Sequence, residues 1–331
     1  MNRLLLIFVV IAVFAQPSPE IFSPHLDQME QFGDSIFYHG GRDRTPKSPM
    51  ELTHEIYGFV PYWEASYSCP RWDLVSRIAY FNFTVNSAGN VTNEYTWYTA
   101  SVVDDALAAG VPVDLCIAIF DDASINTLLL SSTARGNCIS NALDAVIARG
   151  GSGVNLDLEL PGSGYGDELV TFCSEFRDSI DARLPGGWLS ICLPAVDWRD
   201  AFFVDELALY CNALFIMGYD YYWSGSSITG PCDPLDDPTE TYDIVHTVDI
   251  YGSVTHTRSR LILGLPLYGK QWACSGSYRG ASTTSSGTSI LYTTAISNAA
   301  TYGRLWDSNA LSPWYVYGSY YQGWYSDPVS L

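Results

Sequence analysis

The segment 153–160 alternates polar and apolar residues, and this alternation constrains the fold more than any other feature of the chain. Asn155, Asp157 and Glu159 lie two positions apart, so in a β-strand they share one face and the intervening aliphatic residues share the other. The Cα atoms of Asp157 and Glu159 are then roughly 6.6 Å apart along the strand. A solvated antiparallel strand would give the same alternation.

The flanking sequence favours a buried strand. Apolar residues recur at helical spacing through 142–148, and Arg149-Gly-Gly151 is a helix-stopping turn. Helix, glycine turn and strand in succession are typical of a βα unit, whose parallel strands are normally buried on both faces. Two carboxylates on a buried face are costly unless they have chemistry to perform. The pattern therefore predicts a catalytic role for Asp157 and Glu159.

From residue 56 onward, strand-like runs alternate with helical patterns such as 101–109 and 168–184. Over about 250 residues this rhythm predicts a (β/α)₈ barrel or a doubly wound sheet. No glycine-rich phosphate loop follows the first strand, which removes the main support for a nucleotide-binding fold. The strand-like runs are 56–60, 77–83, 111–119, 154–160, 189–193, 213–217 and 261–265.

Polar and aromatic residues crowd the C-terminal ends of several predicted strands. A barrel builds its active site at that edge, and an aromatic-lined cleft suits stacking on sugar rings. The residues of any single cluster could simply pack in the core or at an interface, but several clusters at one edge predict a binding cleft. The clusters are 61–63, Asp157 with Glu159, 197–198, 218–223 and 268–272.

The N-terminal residues of the chain point to export. Residues 1–15 combine an early arginine, a short apolar run and a small-residue cleavage site, as a secretory signal peptide does. Residues 16–54 have no sustained period and are predicted to be a linker or a pro-segment. No later run is apolar enough for a membrane helix. The net charge of −20 argues against a nucleic-acid partner. Because residues 1–15 resemble a signal peptide, we expect a secreted protein.

The eight cysteines show no metal-ligand spacing. Cys116 and Cys192 lie in apolar runs and are expected to be buried small hydrophobic residues. Cys232 and Cys274 each follow a predicted strand, and in an exported protein they are expected to form a disulfide across the active face.

Taken together, residues 56–331 resemble glycoside hydrolase family 18, the family of chitinases and related endo-β-N-acetylglucosaminidases. The family's fourth-strand signature Asp-Gly-x-Asp-x-Asp-x-Glu reads Ser152-Gly-Val-Asn-Leu-Asp-Leu-Glu159 here. The sixth-strand signature Met-x-Tyr-Asp is matched in full by Met217-Gly-Tyr-Asp220, and the seventh-strand pattern reads Gly264-Leu-Pro-Leu-Tyr-Gly-Lys-Gln-Trp272.

The departures from the family pattern also carry information. Ser152 and Asn155 replace two acids, residues 115–119 lack the third-strand Ser-x-Gly-Gly, and Lys270 replaces an arginine. Residues 324–331 resemble the segment before the family's last helix and eighth strand, and that strand supplies a tryptophan to the floor of subsite −1. The resemblance thus predicts residues 55–331 to be a TIM (β/α)₈ barrel lacking its eighth strand, in a C-terminally incomplete sequence.

The resemblance also implies roles for individual residues, without a metal or a cofactor. Glu159 would be the general acid and base, while Asp157 and Tyr219 would hold the substrate's acetamido group. Asn155 would complete the catalytic group beside Asp157. The implied substrate-binding residues are Asp220, Met217, Tyr57, Phe59, Trp63, Tyr268, Lys270 and Trp272.

Three functions remain open at this point. The first is hydrolysis of chitin or chito-oligosaccharides. The second is cleavage of peptidoglycan at N-acetylglucosamine, because Asn155 is similar to a bacterial branch of the family that includes cell-wall and spore-associated hydrolases. The third is sugar binding without catalysis, which is disfavoured because Glu159, Asp157 and Tyr219 are all present. In each case the expected partner is an N-acetylglucosamine-containing polysaccharide.

Overall fold

The computed structural model describes residues 23–32, 54–69 and 71–331. The predicted signal peptide, 1–15, and most of the predicted linker or pro-segment, 16–54, lie outside the described residues. Among the helices of the described part, none has the length and apolar character needed to cross a membrane.

Seven parallel strands form one curved sheet, and a short antiparallel strand pairs with the carboxyl end of the second of them. All seven coincide with strand-like runs predicted from the sequence. The strands are β1 (Tyr57–Pro61), β2 (Arg77–Val85), the antiparallel β3 (Val91–Asn93), β4 (Val113–Ile119), β5 (Gly153–Leu158), β6 (Trp188–Pro194), β7 (Ala213–Met217) and β8 (Leu261–Gly264). Their spatial order is β1-β2-β4-β5-β6-β7-β8, with β3 on β2.

Helices connect most of these strands, as the alternating pattern predicted. One further helix precedes β1 in the segment that we predicted to be a linker or pro-segment. The helices are α1 (Pro24–Phe32), α2 (Ser101–Ala108), α3 (Asp122–Leu130), α4 (Ser132–Arg149), α5 (Gly166–Arg183), α6 (Val204–Tyr210) and α7 (Ile244–Val254).

The α4–β5 unit forms as its sequence indicates. Ser131 caps α4 by accepting a hydrogen bond from the backbone N–H of Ala134, and the helix ends at Gly150 with a left-handed φ of 75°. Gly153 then starts β5, where a β-carbon would lie only 2.4 Å from the backbone oxygen of Trp188. Every residue of β5 is buried, so the prediction of a strand covered on both faces is confirmed.

The parallel sheet has the topology of a TIM barrel from which one strand is missing. Within the described residues, no parallel strand lies between β8 and β1. This confirms the predicted fold class. The sheet curves around a hydrophobic core, and the carboxyl ends of its strands meet at one rim.

A second sheet follows β8 and was not predicted. Its five antiparallel strands are ordered β10-β9-β13-β12-β11, so the last strand of the sequence lies at the centre. Helix α8 (Tyr292–Tyr302) packs against this sheet. The strands are β9 (Tyr268–Ala273), β10 (Thr288–Leu291), β11 (Leu305–Asp307), β12 (Ser312–Tyr317) and β13 (Tyr321–Tyr325).

The expected disulfide between Cys232 and Cys274 is wrong, because both thiols are free. Cys232 lies under the rim of the parallel sheet and donates to Asp220 Oδ1 at 2.9 Å. Cys274 follows β9 in the second sheet and donates to the backbone oxygen of Gly276 at 3.2 Å. The sequence analysis placed both residues at one rim because it lacked the second sheet.

Candidate active site

Strand β5 brings Asn155, Asp157 and Glu159 into the interior of the parallel sheet. Asn155 and Asp157 are fully buried and Glu159 is 3% exposed. Glu159 lies just past the end of β5, but its backbone N–H still donates to Ile119 of β4 at 3.1 Å. The three side chains that the alternation placed on one face are therefore all buried at the carboxyl end of the sheet.

Asn155 belongs to a neutral polar layer below the two acids. Its Nδ2 donates to Ser190 Oγ at 2.9 Å, and its Oδ1 accepts from Cys192 Sγ at 3.5 Å. Cys192 and Cys116 are buried in strands, as predicted. Asn155 therefore holds the floor of the site through hydrogen bonds to the neighbouring strand β6, without adding a charge next to Asp157.

The Glu159 carboxyl has the electrostatic environment of a protonated acid. Burial raises its pKa, and the adjacent Asp157 carboxylate raises it further, whereas the nearby His25 imidazolium lowers it. The resulting pKa is about 8, against an ordinary value of 4.5. A carboxyl group that keeps its proton near neutral pH can serve as a general acid.

Tyr219 and Asp220 follow β7 at the same rim and are both buried. Asp220 has a φ of 58°, a left-handed conformation that Asp tolerates better than most residues. Its carboxylate lies 3.3 Å from Lys270 Nζ and accepts from Cys232. Burial raises the pKa of Asp220, and the Lys270 ammonium opposes that rise. The structure thus brings Tyr219 and Asp220 of the matched motif to the same rim as Asp157 and Glu159, although β6 separates β7 from β5.

His25, which the sequence analysis did not select, lies at the centre of this group. Its Nδ1 is 2.6 Å from Asp157 Oδ2, its Nε2 is 2.7 Å from the Tyr219 hydroxyl, and its backbone N–H donates to Glu159 Oε1 at 3.1 Å. Burial lowers the pKa of His25, but Asp157, Glu159 and Asp220 together outweigh this effect and raise it to about 9. At neutral pH the ring is therefore an imidazolium that donates to both Asp157 and Tyr219.

Lys270 of β9 connects the second sheet to the same site. The side chain is fully buried, and Nζ lies 2.5 Å from Asp27 Oδ2 and 2.9 Å from Ser289 Oγ. Burial lowers the pKa of Lys270, but the carboxylates of Asp220 and Asp27 outweigh this effect, so its pKa rises above the ordinary value. Lys270 is therefore a cation held between two carboxylates.

The aromatic residues predicted at the rim occupy two different environments. Phe59 contacts the His25 ring at 5.5 Å between centroids, and Tyr268 contacts Tyr219 at 6.1 Å. Tyr57 instead directs its hydroxyl to Asp114 Oδ2 and Ser190 Oγ, both at 3.1 Å, below the site. Phe59 and Tyr268 thus border the catalytic group, whereas the hydroxyl of Tyr57 belongs to its supporting layer.

The remaining predicted binding residues are almost fully buried. Trp63 is 4% exposed and packs against Phe81 and Phe32, and Met217 lies in the cluster around Phe215. Trp272 belongs to a tryptophan cluster of the second sheet. For these residues the structure shows packing contacts, and their contact with a sugar stays a prediction.

A helix start that could have revealed α1 is present in the sequence. Ser23 precedes Pro24, and its Oγ accepts from the backbone N–H of Leu26 at 3.1 Å. Serine followed by proline, with Asp27 in the first turn, is a helix-start signal. Nothing local indicates, however, that His25 reaches Asp157, 132 positions further along the chain.

Among the described residues, one group of side chains has the composition of a metal site. His25, Asp157 and Glu159 each offer a ligand atom, and these atoms lie within 4.8 Å of one another. Zinc bonds of roughly 2.0–2.2 Å would hold a nitrogen and an oxygen ligand more than about 3 Å apart. The 2.6 Å between His25 Nδ1 and Asp157 Oδ2 therefore fits a direct hydrogen bond and not a shared ion.

A cavity opens beside Glu159 at the rim. Its walls include Trp198, Tyr242 and Trp223, and Pro24 of α1 closes one side. The cavity volume is about 120 Å³, which is below the roughly 300–1,000 Å³ that is usual for a small-molecule site. The aromatic walls fit the predicted sugar-binding cleft, and α1 contributes Pro24 to the lining of the cavity.

Curated relatives of this chain are glycosylases and chitinases. The Bacillus subtilis protein "Putative sporulation-specific glycosylase YdhD" is 27% identical over 209 residues, which cover 60% of this chain and 46% of the relative. The Drosophila melanogaster protein "Probable chitinase 10" is 26% identical over 277 residues, which cover 78% of this chain and 11% of the relative. This chain thus spans less than half the length of these two relatives.

Solved structures share the fold of this chain. The immunomodulatory active chitinase TsES1 from Trichuris suis matches with a TM-score of 0.74 at 18% identity, over 83% of this chain and 86% of that one. The class V chitinase from Nicotiana tobaccum also matches with a TM-score of 0.74, at 17% identity, over 84% and 88%. The sequence model of glycosyl hydrolases family 18 matches residues 37–331. On this match, the chain belongs to glycosyl hydrolase family 18.

Proposed function

We propose that this protein is a secreted hydrolase of β-1,4-linked N-acetylglucosamine polymers, with chitin or chito-oligosaccharides as substrates. The observation that supports this most is the convergence of Asp157, Glu159 and Tyr219 around one imidazole. An acetamido group carries an N–H donor and a carbonyl oxygen a short distance apart. Its N–H can replace the ring N–H on Asp157, and its oxygen can take the place of the other ring nitrogen by accepting from the Tyr219 hydroxyl. The proposal of secretion rests on residues 1–15, which lie outside the described residues.

The proposed mechanism uses the substrate's own acetamido group as the nucleophile, as this family does. The acetamido oxygen attacks C1, the C1–oxygen bond to the leaving sugar breaks, and Glu159 gives its proton to that leaving oxygen. The raised pKa of Glu159 keeps this proton available near neutral pH. The products of this step are a free leaving sugar, an oxazolinium ion and a Glu159 carboxylate.

Asp157 and Tyr219 would orient the acetamido group for this attack. The Asp157 carboxylate accepts the acetamido N–H and stabilises the positive charge of the oxazolinium, while the Tyr219 hydroxyl donates to the acetamido oxygen. Water then attacks C1 as Glu159 takes its proton, and the bond from C1 to the acetamido oxygen breaks. Two displacements at one carbon retain the anomeric configuration.

Peptidoglycan is the second candidate substrate, and two observations favour it. Asn155 stands where most of the family has an acid, and one relative is described as a sporulation-specific glycosylase. The net charge of −20 opposes binding to an anionic cell wall, since local attraction has to overcome the repulsion of the whole molecule. For this reason chitin-type substrates are placed first.

The test measures two activities, turnover of a fluorogenic chitotriose substrate and release of muropeptides from peptidoglycan. The Glu159→Gln variant is measured in parallel. We expect Glu159→Gln to lower the rate by about 10²–10⁴-fold with the fold intact, because the variant has no proton to transfer. Glu94→Gln, an exposed substitution of the same type, serves as the control. Undiminished hydrolysis by Glu159→Gln would contradict the assignment of the acid.

Two further measurements define the reaction. Proton NMR of the first product should show the β-anomer, because the mechanism retains configuration, and turnover should persist in EDTA. Muropeptide release without cleavage of chito-oligosaccharides would establish the peptidoglycan alternative. Binding of the oligosaccharide without turnover of either substrate would establish a sugar-binding protein.

A further inference from the structure

Helix α1 lies in the cleft although it is not part of the matched family domain. The family match begins at residue 37, whereas α1 ends at Phe32. The side chain of His25 is nevertheless 9% exposed, and Pro24 and Ser23 are buried as well. The helix is thus an addition to the family domain that this chain places against its own catalytic residues.

His25 occupies the groups that the proposed mechanism reserves for the substrate. Its two ring nitrogens contact Asp157 and Tyr219 at 2.6 and 2.7 Å, and its backbone N–H contacts Glu159 at 3.1 Å. The same ring packs against Phe59 and Phe81 at centroid distances of 5.5 and 5.2 Å. A sugar with its acetamido group on Asp157 and Tyr219 would overlap this ring.

A second anchor fastens the helix to the antiparallel sheet. Asp27 pairs with Lys270 at 2.5 Å and also accepts from Ser224 Oγ at 2.7 Å. Gln31 makes two hydrogen bonds to the backbone of Ser289, at 2.5 and 2.6 Å. The helix therefore bridges the two sheets. Asp27 occupies the Lys270 ammonium, which is one of the groups predicted to bind the substrate.

A ring contact and a hydrogen bond to a methionine sulfur fasten the far end of the helix. Phe32 packs against Trp63 at 6.3 Å between ring centroids, and the Tyr95 hydroxyl contacts Met29 Sδ at 3.7 Å. Trp63 is one of the residues predicted to bind the sugar. The helix thus covers polar groups and an aromatic residue of the predicted cleft at the same time.

We propose that α1 is an intramolecular inhibitor, in which His25 imitates the substrate's acetamido group and Asp27 occupies Lys270. The enzyme turns over its polymer only when α1 leaves the cleft. Because α1 belongs to the same chain, its effective concentration at the cleft is on the order of millimolar. Of the two predictions for residues 16–54, linker or pro-segment, the occupied cleft supports the pro-segment. This inference rests on the proposed function of the Asp157, Glu159 and Tyr219 group.

The first test removes both anchors in the full chain. In the double variant His25→Ala/Asp27→Ala we expect kcat/KM for fluorogenic chitotriose to rise by at least about tenfold, because charge-assisted hydrogen bonds hold the helix in place. Glu30→Ala, an exposed substitution on the same helix, is the matched control and should leave the rate unchanged. Adding Glu159→Gln to the double variant should abolish the gain, since the released site still requires that acid.

The second test measures occupancy without turnover. A fluorescein-labelled peptide of the sequence 23–32 should bind the double variant, as measured by polarisation, and should compete with chitotriose. The same peptide with alanine at the positions of His25 and Asp27 should bind at least about tenfold more weakly. Asp157→Asn in the double variant should weaken binding of the unmodified peptide, because it removes the charge that pairs with the imidazolium.

The two tests separate this inference from the proposed function. Unchanged turnover in the double variant, together with no binding of the unmodified peptide, would overturn inhibition by α1 and leave the proposed function standing. Peptide binding that depends on His25 and Asp157, without hydrolysis of chitotriose by any variant, would support occupancy of the cleft and overturn the proposed substrate.

Discussion

The parallel sheet and the antiparallel sheet border the same cleft but contribute different things to it. The parallel sheet supplies the groups that are proposed to react, with Asp157 on β5, Glu159 just past its end and Tyr219 after β7. The antiparallel sheet supplies Lys270, a cation that the parallel strands lack at this position. In the proposed mechanism, the parallel sheet thus carries the bond-breaking groups, while the antiparallel sheet contributes a cation that holds the group in the cleft.

The two sheets are also stabilised differently. In the parallel sheet, buried strands pack between helices, and the acids rest on the neutral layer around Asn155 and Ser190. In the antiparallel sheet, large aromatic residues pair across strands, such as Trp314 and Trp324 with ring centroids 5.0 Å apart. Substitutions of the residues proposed to be catalytic should therefore change the hydrolysis rate more than the free energy of unfolding. Substitutions of the buried aromatic residues in the antiparallel sheet should change the free energy of unfolding more than the rate.

The largest expected effect is on stability. Trp324→Ala should lower the free energy of unfolding by about 3–5 kcal/mol, because it empties a fully buried site at the centre of the antiparallel sheet. Urea unfolding followed by circular dichroism measures this loss. Trp306→Ala, at a position 37% exposed, is the control and should cost less than about 1 kcal/mol. Equal losses of unfolding free energy in the two variants would contradict the view that the buried Trp314–Trp324 pair stabilises the antiparallel sheet.

The next effect is on catalysis. Tyr219→Phe should lower kcat by about 10²-fold with little change in unfolding free energy, because the hydroxyl that holds the acetamido oxygen in line for attack on C1 is lost. Steady-state kinetics in the His25→Ala/Asp27→Ala background gives the rate without competition from α1. Tyr251→Phe, which removes a hydroxyl bonded to the backbone oxygen of Pro194, is the matched control. A comparable loss of kcat in both variants would assign a structural role to Tyr219.

The smallest effect is a pH dependence of cleft occupancy. The pKa of His25 is raised from 6.5 to about 9 in the cleft, so this contribution to α1 binding is fully present below about pH 6.5 and is lost as pH rises through about 9. Asp157, Glu159 and Asp220 face the imidazolium, and Lys270 with Asp220 faces Asp27. Because α1 and chitotriose compete for the cleft, weaker binding of α1 at high pH leaves the cleft open to chitotriose. In Glu159→Gln, where one of these titrating groups is absent, chitotriose should therefore bind about tenfold more tightly at pH 9.5 than at pH 7.

The control for this pH effect is Glu159→Gln combined with His25→Gln. Glutamine keeps a polar side chain at that position but does not titrate, so the increase in affinity between pH 7 and pH 9.5 should disappear. Isothermal titration calorimetry at both pH values measures the affinities. The same increase in the presence of His25→Gln would assign the pH dependence to a group other than His25.

Local patterns predicted the parallel half of the molecule well. The strand alternation at 153–160 and the glycine turn before it identified β5 and its two buried acids, because the periods of a strand and a helix are visible within ten residues. The antiparallel sheet was missed because most of its strands follow one another without an intervening helix, so the alternation of strand and helix that identified the parallel strands is absent there. The run 268–272 was consequently assigned to a strand-end cluster instead of β9.

The sequence by itself determined which side chains could react, since the spacing of Asn155, Asp157 and Glu159 sets their common face whatever surrounds them. Only the tertiary structure decided what meets those side chains. His25 reaches Asp157 across 132 positions, and Lys270 reaches Asp27 across 243. Contacts over such separations depend on how whole elements pack, and no local period records them.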